Sequence, residues 1–197
     1  MSKIFGIGLS RTGTSSCCLA MKNLGIKSIH LPYSWQEIDK HVFSTDTPVS
    51  ARFEELDKRY PNSKFIYTTR NLDDWVESFL KFMNLDIVKM WPLQLSSEFR
   101  EWISEGHLNL YDRPNTEIAN MTSEELIRAY QKHEERVMTY FENRTSDLLT
   151  IDITDARTQP FTKLINFLEF HRLIEFPKVN TFDQIAFFDD KTRNRPG

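Results

Sequence analysis

Residues 3–16, KIFGIGLSRTGTSS, constrain the fold more than any other stretch of the chain. A short run rich in Ile and Phe closes on glycines and passes directly into TSSCCLAMKNLG, which ends at Gly25. The first run reads as a buried strand and the second as a helix with glycine beyond its last turn. A strand that feeds straight into a helix is set up for a parallel partner reached by a crossover, not for a hairpin.

The same alternation recurs downstream. HVFSTD, ending at Asp46, reads as a second strand. TPVSARFEELDKRYP reads as one helix, with Thr47 as cap, Pro48 in the first position and Pro61 beyond the end. Before them, SWQE at 34–37 is a capping box that opens a short helix after a loop around His30. KFIYTTR is the clearest strand; NLDDWVESFLKFM then begins a helix on Asn71, with Asp73 and Asp74 where the helix dipole favours them. Thr122 and Glu125 open a long amphipathic helix, and LLTIDI and TQPFTKLINFLEF add a strand and a helix. Residues 84–121, rich in Trp, Phe and Leu, read as an insertion of irregular helices. The expectation is an α/β fold in a single domain over 1–197. Its parallel, P-loop-NTPase-like sheet of about five strands is flanked by helices on both faces, with the insertion at about 84–121.

Gly8 and Gly13 stand at the spacing of the Walker A pattern, G-x-x-x-x-G-K-[ST]. Ser15 occupies the Ser/Thr position, but Thr14 stands where the lysine belongs, and the nearest cation is Arg11. The N-terminus of the helix after Gly13 offers unpaired amides and partial positive charge, and Thr12, Thr14, Ser15 and Ser16 add hydroxyls. Arg11 adds a permanently charged fork for an oxyanion. Arg70 ends a strand, at the edge where open α/β sheets bind ligands, and Ser78 lies two turns up the next helix. The two can converge on one phosphate. Read more plainly, Arg70 is a surface side chain held by Asp73 or Asp74. An ATP or GTP kinase remains a reading of the loop, with Asp152 as its metal-binding carboxylate.

Net charge is −3, which argues against a general nucleic-acid or anionic-membrane binder; a polyanionic ligand needs a local cluster of cations. Cys17 and Cys18 are adjacent and unsuited to bridging each other, so a reducing, cytoplasmic setting is expected. No Cys/His metal pattern, signal-peptide pattern or membrane-length apolar run is seen.

Taken together, S-R-T-G-T-S after a strand, and K-F-I-Y-x-x-R-N with a serine eight beyond the arginine, resemble the sulfotransferases. The stretch from YQKHEERVMTYFENR through FTKLINFL is also similar to one of their branches, so the likeness covers most of the chain. It implies 3′-phosphoadenosine 5′-phosphosulfate (PAPS) as co-substrate, with no metal required. By the same likeness Ser10, Arg11, Thr12, Gly13, Thr14, Ser15 and Ser16 hold the 5′-phosphosulfate, and Arg70 and Ser78 the 3′-phosphate. Arg11 would stabilise charge on the bridging oxygen. Family members place a His or Glu base near the end of the strand before the 3′-phosphate strand; here Asp46, in STDTPV, is first choice. An aspartate needs a raised pKa to serve, so an enclosed site is expected; read otherwise, Asp46 is a helix cap. His30, in His-Leu-Pro, falls early in strand order, and His41 is third. Trp75, Phe79, Phe82, Trp91, Phe99 and Trp102 would line an acceptor pocket or, since aromatics at helical spacing are more often core, simply pack the interior. The acceptor is a hydroxyl or amine on a small molecule or glycan. A non-catalytic PAP/PAPS-binding module is the second reading, and the basic tail KTRNRPG faintly resembles a 3′-phosphate-closing segment.

Overall fold

A computed structural model describes residues 3–85 and 96–170. Five strands, β1 (Ile4–Gly6), β2 (Ser28–His30), β3 (Phe43–Thr45), β4 (Lys64–Thr69) and β5 (Leu148–Asp152), form one sheet in the order β2-β3-β1-β4-β5. Every pairing is parallel: Phe5 stands beside Ser44 on one side and Phe65 on the other, and Ile66 beside Leu149. Among the described residues the helices are α1 (Thr14–Asn23), α2 (Trp35–Lys40), α3 (Thr47–Ala51), α4 (Phe53–Arg59), α5 (Leu72–Met83), α6 (Ser97–Tyr111), α7 (Ser123–Tyr140) and α8 (Pro160–Phe170). The α/β layout expected from the alternating sequence is the one observed.

Successive strand residues feed opposite faces. Ile4, Ile66 and Ile151 pack with Cys17 and Met21 of α1 and Leu164 and Leu168 of α8. Phe5, Phe65 and Tyr67 pack with Ile38, Phe53, Val137 and Phe141 of α2, α4 and α7 and the residue just after α7. Burial pushes the Cys17 thiol up to about 12, and both cysteines are free. Among the described residues no helix is long and apolar enough to cross a membrane.

Three local expectations are corrected. The loop read around His30 begins inside a strand, β2, which has only Ile29 as an apolar residue and so shows no period. The helix read from Thr47 to Tyr60 is two helices, and its cap is Asp46, whose carboxylate accepts from the Thr47 amide. The break falls at Arg52, a buried cation. Its guanidinium lies 4.1 Å from the Trp102 ring and donates to Glu105 Oε2 at 2.6 Å. Residues 97–111, expected to be irregular, are a regular helix capped by Ser96. It lies close on α3, where a Cβ on Gly106 would come within 3.2 Å of Thr47 Cγ2. Trp91 and the basic tail fall outside the described residues.

Because all five strands point one way, their carboxyl ends share one edge. His30, Asp46, the loop after β1 and Arg70 leave the sheet there together.

Candidate active site

The loop between β1 and α1 is pinned from below. The carbonyl of Gly8 accepts from Ser50 Oγ at 2.6 Å, that of Leu9 from Thr12 Oγ1 at 2.7 Å and that of Ser10 from Trp75 Nε1 at 2.8 Å. Thr12 Oγ1 also meets Thr68 Oγ1 at 2.7 Å, so this buried hydroxyl serves the loop's own fold. No side chain fits at Gly8: a Cβ would lie 2.0 Å from Thr68 Oγ1 and 2.4 Å from its carbonyl. Gly13, at φ 97°, turns the chain into α1 and leaves the first amides of that helix at the sheet edge.

On the β4–α5 side the predicted residues meet. Arg11 Nε donates to Ser78 Oγ at 3.2 Å, and the Arg11 guanidinium lies 4.8 Å from the Phe82 ring. Arg70 Nη1 donates to the Arg11 carbonyl at 3.2 Å, while Arg70 Nε is buried with no hydrogen-bond partner among the described residues. The Arg70 backbone is clamped by one group: its amide donates to the Tyr130 hydroxyl, which donates in turn to its carbonyl at 3.0 Å. Arg11, Arg70, Ser78, Asp74, Glu77 and Lys81 border a cavity of about 450 Å³ that Phe82 and Leu85 complete. Of the other aromatics expected in a pocket, Trp75 and Phe79 are core residues beside Tyr111 and Tyr130, and Phe99 is buried against Tyr33.

On the β2–β3 side the loop touches a different group. His30 stands beside Thr45 in register, so Asp46 follows within reach of it. His30 Nε2 lies 2.9 Å from Asp46 Oδ2, and Asp46 Oδ1 accepts from Ser10 Oγ at 2.5 Å and from the Thr47 amide at 2.8 Å. Thr14 Oγ1 and Ser15 Oγ stand 3.2 and 3.1 Å from the same Nε2. Three of the predicted loop hydroxyls thus turn toward the Asp46–His30 pair, and Ser16 is exposed on the first turn of α1. Asp46 is at once a helix cap and a loop partner. Its φ of 88° with ψ of −177° is a region that residues other than glycine rarely occupy. Such a conformation costs on the order of 1–3 kcal/mol and persists only where surroundings enforce it.

Enclosure does not raise the Asp46 pKa, as the sequence suggested it would. Burial pushes the carboxyl up. The hydrogen bond and charge of His30, the Ser10 hydroxyl and the Thr47 amide outweigh it and hold the group below its ordinary value. His41 is excluded by place: it precedes β3, at the opposite edge, and its Nδ1 is 2.7 Å from the Glu37 carbonyl.

A sequence profile of the sulfotransferase domain matches residues 3–43 and 35–185, taking in both sides of the loop. The chain belongs to the sulfotransferase domain family. The Ava biosynthesis cluster protein M of Aspergillus versicolor is 30% identical over 106 residues, 39% of this chain and 41% of that protein. The match therefore spans well under two thirds of that relative's length. Within this sulfotransferase domain, the residue that the sequence ranks behind Asp46 and the fold brings to the loop is His30. Its His-Leu-Pro signal was visible; what hid its position is that β2, early in the chain, lies next to β3 in space. Tyr130 and Trp75, which fix Arg70 and the loop, carry no motif: Tyr130 reads only as a helix-face aromatic, and Trp75, expected in an acceptor pocket, instead bonds the Ser10 carbonyl from the core.

Proposed function

We propose that this sulfotransferase domain moves a sulfuryl group from PAPS to a hydroxyl or amine of a small-molecule or glycan acceptor. The observation that carries the proposal is the convergence of Arg11, Arg70 and Ser78, from two separate strand–helix units, on one cavity. The residues present fit a nucleoside bisphosphate. The buried, partnerless Arg70 Nε is a charged donor that a phosphate oxygen would satisfy, and Ser78 stands ready as a second donor.

PAPS would supply a sulfuryl group already activated on a 5′-phosphate, and a 3′-phosphate as a handle. The α1 amides after Gly13, with Thr14, Ser15 and Ser16, would hold the 5′ end; Arg70 and Ser78 would hold the 3′-phosphate. Arg11, whose guanidinium now rests on Ser78 and Phe82, would offer a cation to the charge that grows on the leaving oxygen. Ser10 links the loop to Asp46, on the side from which an acceptor would approach. The main demands are in-line alignment and charge stabilisation, which a loop held at three carbonyls is built to meet.

The kinase reading fits less well. Position 14 is threonine, and Asp152 Oδ1 already accepts from the Thr154 amide and hydroxyl and from the Asp155 amide. Thermal unfolding with added nucleotide separates the readings. PAP without Mg²⁺ is expected to raise the midpoint, with a stabilisation of about 2.7 kcal/mol at a hundredfold excess over Kd. A midpoint that moves with ATP and Mg²⁺ but not with PAP would favour the kinase. A chain that binds PAP yet releases none from PAPS would be the non-catalytic module.

A further inference from the structure

Resting on the sulfuryl-transfer proposal above, we infer that the buried hydroxyl of Tyr111 is a specificity-determining contact of the acceptor site. It donates a hydrogen bond to a lone pair on an acceptor whose body is otherwise apolar. The residue belongs to α6, between the two stretches that carry the motifs, and no motif marks it.

Tyr111 ends α6, and that end is held on both sides. Further up the helix Gly106 lies against Thr47, the neighbour of Asp46. Just beyond, Asp112 turns left-handed at φ 54°, and its carboxylate accepts from Lys132 Nζ of α7 at 2.7 Å. The Tyr111 ring packs among Leu9 of the loop, Ala51 of α3, and Trp75 and Phe79 of α5. Its centroid is 5.5 Å from that of Phe79, and Phe82, one turn on along α5, borders the cavity with Arg11. Its hydroxyl also lies within the field of the Asp46 carboxylate. Tyr111 thus stands behind the loop, between the anion cavity on one flank and Asp46 on the other.

Only 4% of Tyr111 is exposed, and its hydroxyl makes no hydrogen bond to any described residue. Polar groups on the elements around it are engaged elsewhere: Trp75 Nε1 donates to the Ser10 carbonyl, and the oxygens of Asp46 are taken by Ser10, Thr47 and His30. Burial, and after it the Asp46 charge, push the Tyr111 pKa well above its ordinary value, so the group is a neutral O–H with a proton to give. A buried donor without a partner costs stability, and folded chains keep few of them. A ligand that brings the missing lone pair removes that cost. Leu9, Ala51, Phe79 and Leu110, packed in the same cluster, are apolar. An acceptor that parts them must cover them with apolar surface of its own, whereas a polyhydroxylated glycan would leave hydroxyls buried there unpaired. Of the acceptors proposed above, the site therefore suits a small apolar alcohol or amine that carries a second oxygen with a free lone pair. A site built around such a contact rejects the analogue that lacks it.

The test compares the full chain as wild type and as Tyr111→Phe. It reads the thermal midpoint without ligand, PAP affinity by calorimetry, and PAP release from PAPS with added acceptors. The acceptors are the ortho, meta and para methoxybenzyl alcohols, their ethyl counterparts of equal shape, and glucose. Tyr111→Phe is expected to bind PAP within about twofold of wild type, and its midpoint should hold or rise, since the partnerless hydroxyl is gone. Wild type should prefer at least one methoxy alcohol to its ethyl counterpart, and both to glucose. Tyr111→Phe should lose roughly 2- to 12-fold in kcat/KM for that methoxy alcohol, mostly through KM, and nothing for the ethyl one. A midpoint that falls in Tyr111→Phe shows a hydroxyl already paired in the free protein and overturns the inference alone. So do a methoxy preference that survives the substitution, an equal loss for methoxy and ethyl alcohols, which marks a structural role, and glucose as the best acceptor. A wild type that binds no PAP, or releases none from PAPS with any of these acceptors, overturns the sulfuryl-transfer proposal and the inference with it.

Discussion

The two flanks of the β1–α1 loop are built on opposite principles. Toward β2 and β3, Ser10, Asp46, Thr47 and His30 bond one another in an interlocked, half-buried set of contacts centred on the buried Asp46. Toward β4 and α5, Arg11 and Arg70 stand at an open cavity, and one guanidinium nitrogen of Arg70 is buried without a partner among the described residues. A satisfied polar network is rigid and holds groups in one geometry; an unsatisfied charged donor is a place reserved for a ligand. The contrast suggests a division of labour, with proton handling on the first flank and anion binding on the second.

The largest expected effect breaks the first flank. Asp46→Asn keeps the shape but removes the charge that orients His30, and turnover of PAPS is expected to fall roughly 10²–10⁴-fold. Steady-state kinetics at saturating PAPS check this; a loss under threefold would detach Asp46 from the chemistry.

The next effect undermines both flanks together, through the floor they share. His133 is buried under the loop and donates from Nε2 to the Ile7 carbonyl at 2.8 Å. Burial lowers its pKa to about 4. The folded value lies below the unfolded one, near 6.5, so between the two the unfolded chain holds a proton that the folded chain does not. The stability contributed by this group is complete above about pH 6.5 and falls as the pH is lowered toward 4, by about 3 kcal/mol in all. Urea unfolding at stepped pH reads the slope. In His133→Gln, which can keep the bond to Ile7, that slope should vanish; an unchanged slope would place the proton uptake elsewhere.

Arg70→Ala sharpens the second flank. A charge-assisted contact to a phosphate is worth about 1.5–3 kcal/mol, so KM for PAPS should rise roughly 10- to 150-fold with kcat little changed. A fall in kcat at constant KM would instead move Arg70 toward the reacting atoms. The smallest effect is that of Tyr130→Phe, which frees the Arg70 backbone from its clamp. It should cost about 1 kcal/mol of stability by urea unfolding and weaken PAP binding a few-fold. Full PAP affinity in that variant would show that the clamp is dispensable for aiming Arg70.

The second flank was the more legible in sequence, for physical reasons. KFIYTT alternates between two buried faces and ends directly at Arg70, and Asn71 caps the next helix with its own side chain. Position along a strand and a helix therefore placed Arg70 and Ser78 without tertiary knowledge. The first flank depends on neighbours that are distant in the chain. β2 is three residues long and shows no pattern, and only the sheet order puts it beside β3. The break at Arg52 comes from a contact with Trp102 and Glu105, which no helix propensity encodes. Asp46 stands out in sequence by its place before Pro48, but the raised pKa that a base there would need is not what its surroundings produce. Burial can be guessed from sequence; that His30 and Ser10 would arrive as donors cannot.

The division of labour is tested most directly by calorimetric titration of PAP, without metal, into wild type, Arg70→Ala and Asp46→Asn side by side. Separate jobs predict that Asp46→Asn binds PAP within about twofold of wild type while Arg70→Ala binds roughly 10- to 150-fold more weakly. Equal weakening in the two variants, or no PAP binding by wild type, would contradict it.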